Sequence, residues 1–172
     1  LMQKISRLLP NQIPSRLEKY REEYEHHWIL EMSDEGIDEA SDYLTSFFKN
    51  HDGGFIECSE KEGDRAMLLR FLAAGAISRY HICEEKKLGD MISIDVALRR
   101  NEWKWFKNSI DDHSSVVDKF CYGHFFCHVL HQNYILAKGV DARAVKKVIL
   151  DELVARGAEY PAEHNVGHEY RA

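Results

Sequence analysis

The sequence predicts an α+β fold in which helices pack on a largely antiparallel sheet. Apolar residues recur at helical spacing in three segments, and shorter segments with alternating or β-branched residues lie between them. The predicted order is β-α-β-α-β-β-β-α-β. Because several connections between neighbouring strands are short, antiparallel pairing is favoured.

Each predicted helix has a start signal. Asp34 precedes the first helix, and Ser59 with Glu62 forms a capping box before the second, which extends to about Ser78. Asp141 begins the third helix, and Gly157 ends it. The apolar residues of the first helix are Ile37, Ala40, Leu44, Phe47 and Phe48, and those of the third are Val145, Val148, Ile149 and Leu153.

The predicted strands lie between these helices. Residues 26–32 and 55–58 form the first two strands, and residues 91–98 alternate well enough to form a third. A charged loop, residues 81–90, precedes this third strand. Two further strands carry a histidine-rich motif, and residues 160–164 form the last strand.

The composition narrows the class of protein. With 172 residues, of which 44% are hydrophobic, the chain is long enough for one ordinary core and too short for two full domains. Its net charge of -6 gives no general attraction to nucleic acid, so we expect no nucleic-acid partner. The four cysteines have neither metal-ligand spacing nor the density of a disulfide scaffold, which is typical of a reducing compartment.

Histidines cluster near the end of the chain. Gly-His-Phe-Phe-Cys-His-Val-Leu-His-Gln-Asn occupies residues 123–133, and Pro-Ala-Glu-His-Asn-Val-Gly occupies residues 161–167. Histidine beside carboxylate is the combination used for metal binding and for proton transfer near neutral pH. The cluster therefore indicates a candidate reaction site, with His124, His128, His131, His164 and His168 in or just beyond the two motifs.

The spacing of the first motif allows two conformations. On a helix, His124, His128 and His131 would share one face. The flanking glycines and the β-branched and aromatic residues favour strands around a turn, in which His131 and Asn133 share a face and His124 reaches them from the preceding turn. The residues alone support a functional site and a set of hydrogen-bonded structural histidines equally.

Four segments resemble a known family. In matching order, they closely resemble the C-terminal cap and membrane-binding region of the bacterial quinone-dependent D-lactate dehydrogenases, which are flavoproteins of the FAD-linked oxidase superfamily. The resemblance spans nearly the whole chain. It implies a ferredoxin-like cap domain of an enzyme that is peripheral on the cytoplasmic face of the inner membrane. The segments are Tyr-Glu-His-His (24–27), Ile-Asp-Val-Ala-Leu-Arg-Arg-Asn (94–101), Tyr-Gly-His-Phe-Phe-Cys-His (122–128) and Tyr-Pro-Ala-Glu-His-Asn-Val-Gly-His (160–168).

The resemblance also implies catalytic and metal-binding residues. Related D-2-hydroxyacid dehydrogenases surround their substrate with a Gly-His turn, a second histidine seven residues later and an Ala-Glu-His-Gly element. Carried over to this chain, the pattern implies that His164 is the general base for D-lactate oxidation. It further implies that His124, His131 and Glu163 hold a divalent metal.

The same pattern implies residues that bind the substrate. Asn133 would orient D-lactate, and Arg70, or Arg79 in its place, would pair with the carboxylate. A surface or helix-capping role explains either arginine equally well. Phe125–Val129 replace the family's Gly-Asp-Gly-Asn, and Asn165 stands where the third motif usually has glycine. The replaced turn would move His124 away from the related pattern's metal position, and the site would be half exposed without a flavin domain, so we expect the chain by itself to bind metal weakly or not at all.

A basic and aromatic segment follows the predicted strand at residues 91–98. Interleaved arginine, lysine and tryptophan suit a membrane interface, although packing of Trp103 and Phe106 on the sheet fits the pattern equally well. No window approaches the ~18 consecutive apolar residues of a membrane-spanning helix. The predicted contacts with an anionic phospholipid surface are Arg99, Arg100, Trp103, Lys104, Trp105 and Lys107.

The resemblance places the chain within a larger flavoprotein. Residues 1–24 would be a basic arm and residues 25–172 the α+β cap, whose histidine motifs face a flavin domain outside this chain. The chain has no glycine-rich dinucleotide-binding element, so we expect FAD to be bound mainly outside it and the fragment to be inactive alone. In the whole enzyme, electrons from D-lactate would pass to membrane quinone.

Two other classes of function stay open at this point. A non-catalytic metal-binding module of ferredoxin-like fold would bind metal tightly without a partner domain. An interaction module would bind membrane or protein through the basic and aromatic segment, and its binding would not depend on His164.

Overall fold

The computed structural model describes residues 13–125 and 128–161, and within them the fold is α+β. Helices α1 (Ser15–Glu23), α2 (Glu35–Phe47) and α3 (Glu60–Cys83) come first. Strands β1 (Leu88–Ala97), β2 (Val116–His124) and β3 (Val129–Ala137) follow, and then helix α4 (Ala142–Ala155). The predicted fold class is confirmed, since these strands form an antiparallel sheet accompanied by helices.

The chain divides into two compact units, residues 1–72 and 73–172, with the division inside α3. The first unit contains α1 and α2, and the second contains the sheet and α4. His124 and His131 both belong to the second unit. The predicted boundary between an arm and a cap domain at residue 24 stays a prediction.

Strand β3 lies at the centre of the sheet, between β1 and β2. One face of the sheet, which we call the core face, packs against α4 and forms the main hydrophobic core. Burial of each large apolar side chain there stabilises the fold by about 1.5–3 kcal/mol. The core residues are Ile92, Ile94 and Val96 of β1, Leu130, Tyr134 and Leu136 of β3, and Val145, Ile149 and Leu153 of α4.

Helix α4 begins where the sequence predicted. The side chain of Asp141 accepts hydrogen bonds from the backbone N–H groups of Arg143 and Ala144, at 2.9 and 3.3 Å. The prediction that Val148 faces inward is wrong, because this residue is 47% exposed. Successive helical residues are about 100° apart, so Val148 lies well to one side of Ile149, which is fully buried.

Two predicted strands are not present. Residues 26–32 and 55–58 belong to no strand in the structure, so both predictions are wrong. A strand needs a partner for its backbone groups, and the second segment is held by side chains instead. Arg16 Nη2 donates to the backbone oxygen of Glu57 at 2.9 Å, and Ser41 Oγ donates to its carboxylate at 2.6 Å.

Helix α3 starts as predicted but ends later. Ser59 Oγ and the Ser59 backbone N–H both donate to Glu62 Oε2 at 2.9 Å, which confirms a capping interaction at its start. The helix continues to Cys83 instead of ending near residue 78, so the predicted charged loop is shorter. Contacts with the sheet explain the extension, since Ile77 packs on Ile135 and Tyr80 Oη donates to Asp118 at 2.6 Å.

The segment between β1 and β2, residues 98–115, is attached to α4 by Arg156. Its guanidinium donates to Glu102 Oε2 at 3.2 Å and to Asn108 Oδ1 at 3.0 Å. It also donates to the backbone oxygens of Lys104 and Lys107, at 2.9 and 2.8 Å. Because guanidinium carries five N–H donors in a rigid fork, one side chain can hold several points of a loop.

Buried polar groups hold the same segment from the core face. Gln132 is fully buried on β3, and its Nε2 donates to the backbone oxygen of Trp105 at 2.6 Å. Asn108 Nδ2 donates to Gln132 Oε1 at 2.8 Å. Lys119 Nζ donates to the backbone oxygen of Phe106 at 2.6 Å. Residues 105–108 are therefore fixed on the sheet and on α4 together.

We predict that Arg156→Ala lowers the free energy of unfolding by about 1.5–3 kcal/mol, the range for loss of a charged hydrogen-bonding group. The hydrogen bond from Arg156 holds the pKa of Glu102 below its usual value. A carboxylate whose pKa is lowered by folding stabilises the folded state at pH values above its ordinary pKa. This stabilisation is lost as the pH falls through the lowered pKa. Urea unfolding at neutral and acidic pH measures both effects.

Arg143→Ala provides the matched control, because Arg143 is an exposed arginine in the first turn of α4. Its loss should change stability by less than about 0.5 kcal/mol. Equal losses for the two variants, or an Arg156 effect that is the same at both pH values, would contradict the role assigned to the guanidinium.

Candidate functional site

His131 lies near the middle of the sheet, on the face opposite the core face. The register places Asp95 of β1 and Tyr122 of β2 directly beside His131, and Ser93 of β1 beside Asn133. The prediction that His131 and Asn133 share one face is confirmed. We call this surface the site face, and the polar residues grouped around His131 and Asn133 on it are Ser93, Asp95, Tyr122 and His124.

His131 forms an ion-pair-like contact with Asp95. His131 Nδ1 lies 2.6 Å from Asp95 Oδ1, and the two side chains are 13% and 53% exposed. An ionised carboxylate can only accept hydrogen bonds, so the proton of this bond belongs to Nδ1. In the neutral imidazole the electron pair then lies on Nε2, the nitrogen that binds metals or accepts protons.

Asn133 is buried and held by neighbours on both sides. Ser93 Oγ donates to Asn133 Oδ1 at 2.7 Å, and a side-chain hydrogen bond joins Asn133 to Tyr122. The Tyr122 ring stacks on the His131 imidazole, with centroids 4.6 Å apart. Burial raises the pKa of Tyr122, so its hydroxyl stays protonated at neutral pH. The orientation of the Asn133 amide is therefore set within the sheet.

His124 comes close to His131, as the sequence predicted. It is the last residue of β2, and its ring centroid lies 5.7 Å from that of His131, at an interplanar angle of 86°. His128 lies in the turn between the strands at a φ of 54°. The helical interpretation of this motif is therefore wrong, and the strand interpretation is confirmed.

Two of the three predicted metal ligands, His124 and His131, are thus adjacent. Nδ1 of His131 contacts the Asp95 carboxylate, and ligating histidines commonly have such a partner on the nitrogen that does not bind the metal. The third, Glu163, lies outside the described residues. Among residues 13–125 and 128–161, no group of three or more histidine, cysteine, aspartate or glutamate side chains could hold a metal ion. The positions of these two imidazoles agree with part of the predicted metal site. Metal binding itself stays a prediction.

The second histidine motif begins at the edge of β1. Glu159 and Ala97 exchange backbone hydrogen bonds of 2.9 Å in both directions and form an isolated antiparallel bridge. Ala97 is two residues from Asp95 on the same strand. His164, the predicted general base, lies outside the described residues, as does all but the start of the predicted last strand at residues 160–164.

The two candidate arginines lie in different units. Arg70 belongs to the first unit, and its guanidinium carbon lies 5.3 Å from the centroid of the Phe71 ring. Arg79 belongs to the second unit and is exposed on α3. Binding of a substrate carboxylate by either residue stays a prediction.

The basic and aromatic segment presents some of its predicted contacts to solvent. Trp103 is 73% exposed, with Lys104 Nζ 5.3 Å from its ring centroid, and Arg100 and Lys107 are exposed as well. Trp105 instead packs against the main core.

Arg99 is exposed, yet it contacts the end of α4. Its guanidinium lies against Gly157, where an added Cβ would come within 2.5 Å of Arg99 Nε. Gly157 also has a φ of 77°, so both the close approach and the backbone conformation require glycine.

Sequence reasoning assigned no function to Asp95, Tyr122 or Ser93, although all three complete the site face. The available signal was alternation. In the predicted strand at residues 91–98, Ser93 and Asp95 are the polar residues at every second position, so they had to share a face. Their pairing with His131 and Asn133 required the register, which the sequence does not show.

The described helices do not include a membrane span. None of those in residues 13–125 and 128–161 combines the length and the apolar character needed to cross a bilayer.

Comparison with known proteins identifies the family. The whole chain, residues 1–172, matches the family model described as D-lactate dehydrogenase, membrane binding. The chain belongs to this family. The resemblance found in the sequence is therefore confirmed.

Three relatives are quinone-dependent D-lactate dehydrogenases. The chain is 46% identical to that of Escherichia coli K12 over 174 aligned residues, which cover 99% of this chain and 30% of the relative. Identity to the Haemophilus influenzae protein is 45%, covering 99% and 31%, and to the Corynebacterium glutamicum protein 43%, covering 95% and 29%. The chain thus spans about 30% of the length of these relatives.

We predict that Trp105 and Trp103 differ in their effect on stability. Trp105→Ala should lower the free energy of unfolding by about 2–4 kcal/mol, because the indole packs on the core. Trp103→Ala should change it by less than about 0.5 kcal/mol, because the indole is mostly in solvent. Urea unfolding measures both, and acrylamide quenching should be reduced more by removal of Trp103. Similar losses of stability would show that the two indoles are packed alike.

Proposed function

We propose that the chain is the substrate-side cap and membrane-binding domain of a respiratory D-lactate dehydrogenase. The enzyme would oxidise D-lactate to pyruvate through FAD and pass the electrons to membrane quinone. The family match over the whole chain carries this proposal, supported by relatives of 43–46% identity that are quinone-dependent D-lactate dehydrogenases.

Oxidation of a 2-hydroxy acid needs three contributions from the site. A base takes the hydroxyl proton, an acceptor takes the hydride from C2, and cationic or hydrogen-bonding groups hold the carboxylate. FAD, when bound, supplies the hydride acceptor. The chain has no glycine-rich phosphate-binding element, so we assign most FAD contacts to protein outside it.

We assign the proton transfer to His164, by its place in the second motif. The bridge between Glu159 and Ala97 supports this assignment, because it brings the start of that motif to the strand that carries Asp95. Asn133 would orient the substrate, although its amide already bonds Ser93 and Tyr122. Arg70, or Arg79 in its place, would pair with the carboxylate.

The two imidazoles of the site face would act on the substrate hydroxyl as ligands of a metal ion. Because Nδ1 of His131 is bonded to Asp95, Nε2 would be the nitrogen that binds the metal. A divalent metal would be held by His124, His131 and Glu163, and it would polarise the hydroxyl. The stacking of Tyr122 and the hydrogen bond from His131 to Asp95 limit movement of the His131 ring.

We further propose that the basic and aromatic segment contacts anionic phospholipid, which would hold the enzyme peripherally on the cytoplasmic face of the inner membrane. Four exposed cations and the exposed Trp103 indole support this contact. The attachment of the segment to Arg156 and Gln132 would present these side chains in a fixed arrangement. Trp105 would support the segment from the core side, and Arg99 would add charge beside Gly157.

We predict that His164→Ala in the full-length enzyme lowers turnover of D-lactate by on the order of 10² to 10⁴, the usual contribution of a positioned acid or base. Steady-state oxidation with a soluble dye as electron acceptor measures this effect. His113→Ala is the control, because His113 is exposed and its side chain bonds only the neighbouring Ser115 among the contacts described. Undiminished turnover would remove His164 from the role.

A second prediction concerns membrane binding. Replacing Arg100, Lys104 and Lys107 with glutamine in the full-length enzyme should weaken binding to anionic vesicles by roughly 10²-fold at low salt, because each cation contributes about 1 kcal/mol near such a surface. Oxidation of D-lactate by a soluble dye should not change. Vesicle co-sedimentation over a range of salt concentrations measures the binding.

The control for this prediction carries the same change of charge elsewhere. It replaces the exposed cations Lys86, Arg143 and Lys146 with glutamine. Equal weakening by both triple variants would indicate a general effect of net charge. Undiminished binding of the first variant would place the contact outside this segment.

A further inference from the structure

The side chain of Asn133 connects the two outer strands on the site face. Strand β3 carries Asn133, with Ser93 of β1 on one side and Tyr122 of β2 on the other. Ser93 Oγ donates to Asn133 Oδ1 at 2.7 Å, so the amide oxygen is directed towards β1. The amide nitrogen is therefore the end that forms the side-chain hydrogen bond with Tyr122. In this bond the nitrogen donates and the phenol oxygen accepts.

This arrangement leaves the phenol proton of Tyr122 available. A hydroxyl has one donor and two acceptor lone pairs, and the contact with Asn133 uses only a lone pair. Among the contacts described within residues 13–125 and 128–161, none gives the Tyr122 O–H an acceptor. Tyr122 is partly exposed, whereas Asn133 is buried. A ligand on the site face can therefore accept this proton in a hydrogen bond.

The ring of Tyr122 is held by its surroundings. It stacks on the His131 imidazole, with centroids 4.6 Å apart and an interplanar angle of 28°. It also packs against a small hydrophobic cluster formed by Ile77, Leu88 and Ile135. Because these contacts fix the ring, they place the hydroxyl before a ligand binds. A donor that is already in position loses little conformational freedom on binding.

The strands offer no lysine or arginine to an anionic ligand on this face. Together, the three strands of the sheet contain a single lysine and no arginine. That residue, Lys119, contacts the Tyr134 ring and pairs with the Asp111 carboxylate at 2.7 Å. Tyr134 belongs to the main core, so Lys119 is directed to the core face. From the sheet, a carboxylate on the site face therefore depends on polar donors such as the Tyr122 hydroxyl, and hydrogen bonds to an ionised acceptor are the stronger kind.

We propose that Tyr122 is a substrate-binding residue whose hydroxyl donates a hydrogen bond to the carboxylate of D-lactate. The inference rests on the proposed function, because it takes D-lactate as the substrate and the site face as its position. Asn133 would hold the phenol oxygen while the proton is directed to the substrate. The Asp95 carboxylate would not compete for this position, since it lies on β1, across β3 from Tyr122, and contacts His131.

The test measures KM and kcat of the full-length enzyme for D-lactate, with a soluble dye as electron acceptor. Tyr122→Phe removes the hydroxyl and keeps the ring that stacks on His131. We expect KM to rise about 10- to 100-fold, the range for loss of a hydrogen bond to a charged group. Turnover, kcat, should change by less than about twofold, because the carboxylate keeps its charge throughout the reaction. The isotope effect on kcat with C2-deuterated D-lactate should also stay the same.

Tyr80→Phe is the matched control. Tyr80 Oη donates to Asp118 of β2 at 2.6 Å, away from the residues grouped around His131 and Asn133. Its loss removes a hydroxyl of the same kind and should leave KM and kcat unchanged. Circular dichroism and the melting temperature show that both variants are folded. An equal rise in KM for Tyr80→Phe would overturn the inference, because the effect would then not be specific to Tyr122.

Two results with Tyr122→Phe would also overturn the inference. Unchanged kinetic constants would show that the hydroxyl does not contact D-lactate. A loss confined to kcat, with an altered isotope effect, would place the hydroxyl at the reacting carbon and not at the carboxylate. The proposed function fails separately, if the wild-type enzyme does not oxidise D-lactate. Wild-type oxidation together with an unaltered Tyr122→Phe enzyme removes only the role of Tyr122.

Discussion

The position of β3 at the centre of the sheet is the constraint on which the rest of the second unit depends. Its backbone pairs on both sides, and its side chains alternate between the two faces. Leu130, Tyr134 and Leu136 enter the core with α4, while His131 and Asn133 lie on the opposite face. A slip of one residue in register would bury the histidine and expose the core residues, so packing of the core holds the site in place.

The same strand also connects the core to the loop that precedes β2. Gln132 is fully buried among apolar residues, and its amide is satisfied by Asn108 and by the backbone of Trp105. An unsatisfied amide at that position would lower stability. The loop therefore stabilises the strand by satisfying this amide, and the strand in turn fixes the loop. Arg156 attaches the loop to α4 as well. The segment that carries the exposed Trp103 is therefore held in place by the hydrogen bonds of Gln132 and Arg156.

Sequence patterns succeeded where local rules are strong and failed where a partner was needed. Asp141 and the Ser59–Glu62 pair marked helix starts correctly, because capping is local chemistry. The proposed strand at residues 26–32 failed because its apolar residues do not alternate and no neighbouring strand pairs with them; Trp28, Ile29, Leu30 and Met32 are all largely exposed. The closeness of His124 and His131 was predictable from strand alternation around a short turn.

The sequence by itself determined the family, the α+β class and the shared face of His131 and Asn133, because motif order, periodicity and alternation are properties of the chain alone. Tertiary structure decided which residues complete that face. Asp95 is 36 residues from His131 and Ser93 is 40 residues from Asn133, and only the pairing of β1 with β3 brings them together. It also decided that Trp103 is exposed and Trp105 is packed, because the direction of a side chain in an irregular loop depends on long-range contacts such as those of Gln132 and Arg156.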